Sequence, residues 1–68
     1  MRLNIRLNGK PCELEAPMTV AGLVEANGYR PELIAVEVNL AIIPKNAYST
    51  TELSEGDVVE IVSFMGGG

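Results

Sequence analysis

Histidine and tryptophan are absent from this 68-residue chain, and cysteine occurs once, as Cys12. Structural zinc sites and iron–sulfur clusters use Cys and His ligands, and an internal disulfide requires two cysteines. The composition therefore excludes these sites. A lone cysteine is typical of a reducing compartment, so we expect a cytoplasmic location. Without a neighbouring His or second Cys, Cys12 is interpreted as a small buried residue and not as a redox centre.

Positive charge is also scarce. Five Lys and Arg residues stand against nine Asp and Glu residues, which gives a net charge of −4, and the basic residues are scattered. A nucleic-acid phosphate backbone repels such a surface, so we predict no nucleic-acid partner and favour a protein with a basic rim. No secretory signal is visible. The longest apolar stretch, LIAVEVNLAII, contains Glu37 and Asn39 and is too short to span a membrane, so no membrane association is predicted.

The chain is long enough for one domain, and 47% hydrophobic against 21% charged residues indicate a folded core. Residues 1–7, MRLNIRL, alternate apolar and polar side chains as a half-buried strand does. The dipeptide Asn8-Gly9 follows, which is typical of a type I′ hairpin turn. Residues 10–16, KPCELEA, are the predicted return strand, with Pro11 at its edge.

A short helix is predicted next. Thr19 can cap its N-terminus, because a threonine hydroxyl accepts a hydrogen bond from a free backbone N–H of the first turn. Val20, Leu23 and Val24 then recur at helical spacing on one face. Gly28 supplies the left-handed residue that ends a helix.

The second half of the chain predicts more strands. Strand-like runs cover residues 33–38 and Ile42-Ile43, with a turn around Asn39 to Ala41 between them. Residues 44–57 are polar and turn-rich, and residues 58–64 form the last β-branched run. The order ββαβββ predicts an α+β fold: a mixed sheet of four to five strands with one main helix on one face. We expect the first and last strands to lie side by side.

The last strand has apolar residues on both faces. Alternation places Val59 and Ile61 on one face, and the opposite face carries Val58, Glu60, Val62 and Phe64. If the helix covers only the first face, the apolar members of the second set stay open, which is typical of a docking surface. The alternative is that loop residues such as Tyr48 and Leu53 cover them.

The sequence ends in MGGG. We predict a domain over residues 1–64 and a flexible tail over 65–68, since a terminal glycine run resists ordering. Glycines can follow a narrow channel and leave the last carbonyl open to attack. A carboxylate is ionised at neutral pH and is a poor electrophile, so it must first be activated, for instance as an acyl adenylate in a site that excludes water. The alternative is a tail without function.

The whole chain resembles the ThiS family of sulfur-carrier proteins of thiamin thiazole biosynthesis. The resemblance rests on TVAGLVEANG at the helix, on AVEVNLAIIPK in the middle and on LSEGDVVEIVSFMGGG at the end. It implies a ubiquitin-like β-grasp fold. It also implies a carrier that is not itself an enzyme and binds no cofactor.

The resemblance further implies that Gly68 is adenylated by an E1-like adenylyltransferase (ThiF-like), which uses ATP and Mg²⁺. The acyl adenylate is then converted to a thiocarboxylate with sulfur from a donor such as a cysteine desulfurase. The thiocarboxylate delivers its sulfur to a thiazole synthase (ThiG-like).

Carried over to this sequence, the resemblance assigns the tail that enters the partner's active site to Gly66, Gly67 and Gly68. The expected partner contacts in the last strand and its continuation are Glu60, Val62, Phe64 and Met65. Alternatives are the small subunit of molybdopterin synthase and a ubiquitin-like modifier whose last glycine forms an amide with a lysine. A third is an interaction module with an inert tail.

Overall fold

The computed structural model describes residues 1–64. Five strands and one α-helix follow the predicted order, and their bounds are β1 Arg2–Leu7, β2 Lys10–Glu15, α1 Val20–Ala26, β3 Ile34–Val38, β4 Ala41–Ile43 and β5 Val58–Ser63. Short 3₁₀ turns cover Pro31–Leu33 and Lys45–Ala47. The third strand therefore begins one residue later than predicted, because Leu33 closes a 3₁₀ turn. Phe64 lies just beyond β5.

The five strands form one mixed sheet in the order β2-β1-β5-β3-β4. β1 pairs with β5 in parallel, and the other neighbouring pairs are antiparallel. The first and last strands are therefore adjacent, as expected. The last strand occupies the centre of the sheet.

Both hairpins turn through left-handed residues. Asn8 and Gly9 have φ angles of 51° and 81°, so the first turn has the positive φ angles that a type I′ turn requires. Pro11 lies in the edge strand β2, where its missing N–H removes no bond from the sheet interior. The β3–β4 turn contains Asn39 and Leu40, whose φ angles are 52° and 72°.

The helix begins and ends where the sequence predicts. The Thr19 hydroxyl accepts a hydrogen bond from the Gly22 N–H at 3.0 Å. At the other end, Gly28 has a φ of 76°, and its N–H donates to the Glu25 carbonyl at 3.0 Å. Within residues 1–64, no helix has the length and apolar character needed to cross a membrane.

The core lies between α1 and one face of the sheet. It comprises Leu3, Ile5, Val20, Leu23, Val24, Ile34, Val36, Tyr48, Leu53, Val59 and Ile61. Tyr48 and Leu53 belong to this core on the helix side. The alternative in which these two residues cover the opposite sheet face is therefore wrong, since burial against the helix already occupies them. Cys12 is half-buried against the same core, in line with its interpretation as a small packing residue.

Candidate functional site

The sheet face opposite α1 combines apolar side chains with two carboxylates. On this face Ala35 pairs with Val62, Glu37 pairs with Glu60, and Ile42 pairs with Glu37. Because alternate residues of a strand point to opposite faces, these side chains project away from the core. We call this surface the open sheet face; its members are Ala35, Glu37, Ile42, Val58, Glu60 and Val62.

Large apolar residues on and beside this face remain accessible. Val62 is 58% exposed, and Phe64 at the end of β5 is 64% exposed. The prediction that the helix leaves these two side chains uncovered is confirmed. Contiguous exposed apolar groups on a small domain are typical of a protein-binding surface.

Glu37 and Glu60 give the open sheet face its charge. They are directly opposite each other on β3 and β5. Like charges in this position destabilise a sheet. The salt bridges found within residues 1–64 use Met1, Arg2 and Arg30 as cations, and none of them involves Glu37 or Glu60. A basic group from another molecule would therefore relieve this repulsion.

The C-terminal end of β5 is held by a cluster that we call the tail base. The Phe64 N–H donates to the Leu33 carbonyl at 2.8 Å. The Lys45 ammonium donates to the Ile34 carbonyl at 2.6 Å, and it lies 5.6 Å from the Tyr48 ring centroid and 5.7 Å from the Phe64 ring centroid. Both ring distances are within the range of a cation–π interaction. Phe64 therefore has a defined position when the chain leaves the sheet.

Sequence reasoning assigned no role to Lys45. The available signal was the basic residue that follows Pro44 in AVEVNLAIIPK. That pattern does not identify the side chains that Lys45 contacts. Tyr48 and Phe64 lie at different distances from Lys45 along the chain, and they approach it only in the folded domain.

A second charged pair lies on the turn that precedes β3. Glu32 accepts a hydrogen bond from the Arg30 guanidinium at 3.0 Å. A hydrogen bond from its own backbone is the main cause that holds the pKa of Glu32 below its ordinary value. Desolvation opposes it, and the charge and hydrogen bond of Arg30 and the charge of Lys45 lower the pKa further. Glu32 therefore remains ionised at a pH where a free glutamate begins to take up a proton.

Replacement of Lys45 tests the tail base. Lys45→Met keeps the aliphatic stem but removes the charged donor and both ring contacts, so we expect a loss of about 1–2 kcal/mol in the free energy of unfolding. Lys45→Arg keeps the cation and is expected to retain most of the stability. Urea denaturation of the three proteins measures the difference. Equal stability of Lys45→Met and the unsubstituted chain would contradict the tail base.

The remaining predicted site residues, Met65, Gly66, Gly67 and Gly68, lie outside the described residues, and their roles stay predictions. Within residues 1–64, no group of three or more acidic or cysteine side chains converges in a way that could hold a metal ion. The described part of the chain has features suited to recognition: an open apolar face, two carboxylates without a salt bridge among residues 1–64 and a fixed position for Phe64.

The fold and the site define a class of protein. A five-stranded mixed sheet of order β2-β1-β5-β3-β4 with one helix across one face is a β-grasp domain. The crystal structure of the thiamine biosynthesis protein ThiS from Geobacter metallireducens is similar to it with a TM-score of 0.81 and 33% sequence identity, over 97% of this chain and 100% of that one. The model of the ThiS family matches residues 5–68, and the chain belongs to that family.

Two curated relatives differ in how much of their length they share with this chain. The sulfur carrier protein ThiS from Bacillus subtilis is 37% identical over 65 residues, which cover 94% of this chain and 98% of that protein. A thiazole synthase from Magnetococcus marinus is 42% identical over 66 residues, which cover 97% of this chain and 20% of the synthase. The chain thus spans one fifth of the length of that thiazole synthase.

Proposed function

We propose that this protein is a sulfur carrier in thiamine biosynthesis and that Gly68 carries the sulfur. The observation that carries the proposal is similarity over 98% of the length of the Bacillus subtilis sulfur carrier protein ThiS, in a chain that ends with the glycines the chemistry needs. The same similarity favours this function over the small subunit of molybdopterin synthase.

The proposed chemistry begins at the carboxylate of Gly68. A carboxylate oxygen attacks the α-phosphorus of ATP, pyrophosphate leaves, and an acyl adenylate forms. The terminal sulfur of a persulfide on the donor then attacks the acyl carbon, and AMP leaves, which gives an acyl disulfide. A thiol attacks the donor cysteine's sulfur of that disulfide, forms a new disulfide with it and releases the thiocarboxylate of Gly68. A thiocarboxylate is largely ionised near neutral pH and is a better nucleophile than a carboxylate. Mg²⁺ on the activating enzyme offsets the charge of the phosphates during the first step.

The described residues support the division of labour in this proposal. Phe64 is fixed at the tail base, and four further residues can span at most about 14 Å. The activating enzyme must therefore bring its nucleotide within that distance of Phe64. The open sheet face adjoins Phe64, so we propose that Val62, Phe64 and Glu60 contact the enzyme, together with Met65.

We propose that the carrier is not an enzyme. General acid–base catalysis needs groups within hydrogen-bond reach of a bound substrate. The carboxylates of Glu37 and Glu60, which lie opposite each other on β3 and β5, are instead on an open surface. An E1-like adenylyltransferase then activates the carboxylate, and a donor such as a cysteine desulfurase supplies the sulfur. We propose that both steps take place in the cytoplasm.

A thiazole synthase is the proposed acceptor of the sulfur. The Magnetococcus marinus thiazole synthase contains a region 42% identical to this chain within a protein about five times as long. A carrier-like region joined to a protein of that name supports a working relationship between the two functions. Covalent attachment would raise the effective concentration of the sulfur donor at the acceptor site.

The intact mass of the protein isolated from its own cells tests the proposal, with sequencing of the C-terminal fragment. We expect a species in which sulfur replaces one oxygen of Gly68, because the thiocarboxylate is the loaded form. The fragment also shows whether Gly68 is the terminal residue in the cell. An unmodified Gly68 that persists after incubation with ATP, Mg²⁺, a sulfur donor and the activating enzyme would overturn the proposal. Adducts with lysines of other proteins would indicate a modifier.

A further inference from the structure

Leu40 occupies a backbone position that does not suit its side chain. It is the second residue of the two-residue turn between β3 and β4 and has a φ of 72°. Glycine is the usual residue there, since a side chain in the left-handed region crowds the backbone. Leu40 is also 89% exposed, so no burial within the domain compensates for this strain.

The neighbouring residue holds the turn rigidly. The side-chain amide of Asn39 donates to the Asp57 carboxylate at 2.9 Å, and its oxygen accepts from the Val58 N–H at 2.9 Å. The Asn39 N–H donates to the Val58 carbonyl at 2.8 Å. Three hydrogen bonds therefore attach the turn to the start of β5. Leu40 projects from a fixed support.

A depression with a volume of about 430 Å³ lies beside Leu40. Its lining contains the two opposed carboxylates of the open sheet face; the full set is Glu37, Asn39, Leu40, Val58 and Glu60. The depression thus combines an apolar projection with two negative charges. It can receive a basic side chain, which would remove the repulsion between the carboxylates.

We infer that Leu40 is a preorganised apolar anchor for the enzyme that activates the C-terminal glycine. Leu40 enters an apolar pocket of that enzyme, and a basic side chain on the rim of the pocket enters between Glu37 and Glu60. This inference rests on the proposed function. Charge complementarity favours an occupant with a basic rim, because the surface carries carboxylates without a salt bridge among residues 1–64 and the chain has a net charge of −4.

The position of Leu40 along the sheet gives the anchor a purpose. The Asn39 backbone bonds to Val58 at the start of β5, whereas Phe64 follows the other end of that strand. Six residues of strand extend about 20 Å, a distance that fits within a protein interface of standard size. Contacts at both ends of β5 fix the orientation of the enzyme on the sheet, so that the tail enters in one direction.

The anchor is tested by two measurements on the same variants: stability is expected to rise, and affinity for the enzyme is expected to fall. Leu40→Gly and Leu40→Asn relieve the backbone strain, so both variants are expected to unfold at a temperature a few degrees higher than the unsubstituted chain. Both remove the apolar side chain, so binding of the full-length chain to the purified adenylyltransferase is expected to weaken about tenfold, the scale of one buried leucine. Differential scanning calorimetry and isothermal titration calorimetry measure the two effects.

Kinetics separates an anchor from a general disturbance. In ATP–pyrophosphate exchange, the Leu40 variants are expected to raise KM for the carrier about tenfold and to leave kcat unchanged, because the anchor acts before chemistry. Glu37→Gln and Glu60→Gln are expected to weaken binding relative to the unsubstituted chain. This difference in affinity is expected to become smaller as the salt concentration rises, because salt screens the interaction that the carboxylates make. Glu25→Gln, an exposed carboxylate on α1, is the control and is expected to leave KM unchanged.

Two results with the Leu40 variants overturn the anchor alone: an unchanged KM and affinity in both variants, or a lower unfolding temperature in both, which would show that Leu40 stabilises the domain. Absence of binding between the unsubstituted chain and the adenylyltransferase overturns the anchor and the proposed function together. Binding without adenylation contradicts the proposed function alone, and the ratio of affinities then still decides the anchor.

Discussion

We expect a chain that lacks Gly67 and Gly68 to unfold at the same urea concentration as the complete chain and to lose nearly all of the proposed acyl-adenylate formation. Its stability is kept because the sheet ends at Ser63 and the core lies upstream of it. Its reactivity is lost because the new carboxylate, at Gly66, stops about 7 Å short of the nucleotide. Misplacement of a reacting group by only about 1 Å can lower a reaction rate about a hundredfold. We therefore expect the rate of ATP–pyrophosphate exchange to fall at least about a thousandfold.

Gly68→Ala is the matched variant for this deletion. It preserves the length of the tail and the carboxylate, and it adds one methyl group beside the reacting carbon. We expect slower activation than in the unsubstituted chain and faster activation than in the deletion, because reach is retained while access is reduced. Full activity of the deletion variant would show that the terminal glycines do not carry the acyl group. A loss of fold would show that the tail supports the domain.

The second large effect is expected in the core. Leu23 lies in the middle of α1, and its side chain is fully buried. Leu23→Ala removes most of that side chain. Such a change costs about 2–5 kcal/mol, and a domain of this size rarely has more than about 3–5 kcal/mol to lose. We therefore expect the variant to be largely unfolded at 37 °C. Circular dichroism and urea denaturation measure the loss.

Leu40→Ala is the control for the core prediction. It removes the same atoms from a leucine that is 89% exposed, so the change in unfolding free energy is expected to be within about 0.5 kcal/mol. A loss in Leu23→Ala as small as the loss in Leu40→Ala would contradict the arrangement in which α1 supplies the centre of the core.

Much of the fold follows from local chemistry in the sequence. Asn8-Gly9 and Gly28 were placed correctly because few residues tolerate a positive φ. Thr19 was identified as the cap because a hydroxyl can satisfy a backbone N–H before an apolar helical face. The placement of Val62 on the sheet face opposite Val59 and Ile61 follows from strict alternation along a single strand. Each of these predictions needed only a few neighbouring residues.

Other features depend on strand order and on the path of irregular segments. The opposition of Glu37 and Glu60 requires the pairing of β3 with β5, which no local pattern gives. The burial of Tyr48 and Leu53 requires the course of residues 44–57, which the sequence indicates only as turn-rich. Leu40 in a left-handed turn contradicts the local preference of a branched side chain, so no sequence pattern predicts its conformation.

The central position of β5 has a consequence for synthesis of the protein on the ribosome. β1 and β2 can form their hairpin early. Both β1 and β3 pair with β5, however, and β1 does so through Arg6 and Val58, so these pairings form only after β5 has been synthesised. A nascent chain therefore cannot complete the sheet until residue 63 has emerged, and contacts between such distant residues form slowly. Chains that terminate before β5 lack both the native sheet and the open sheet face, so they could not present the surface that we propose the activating enzyme contacts.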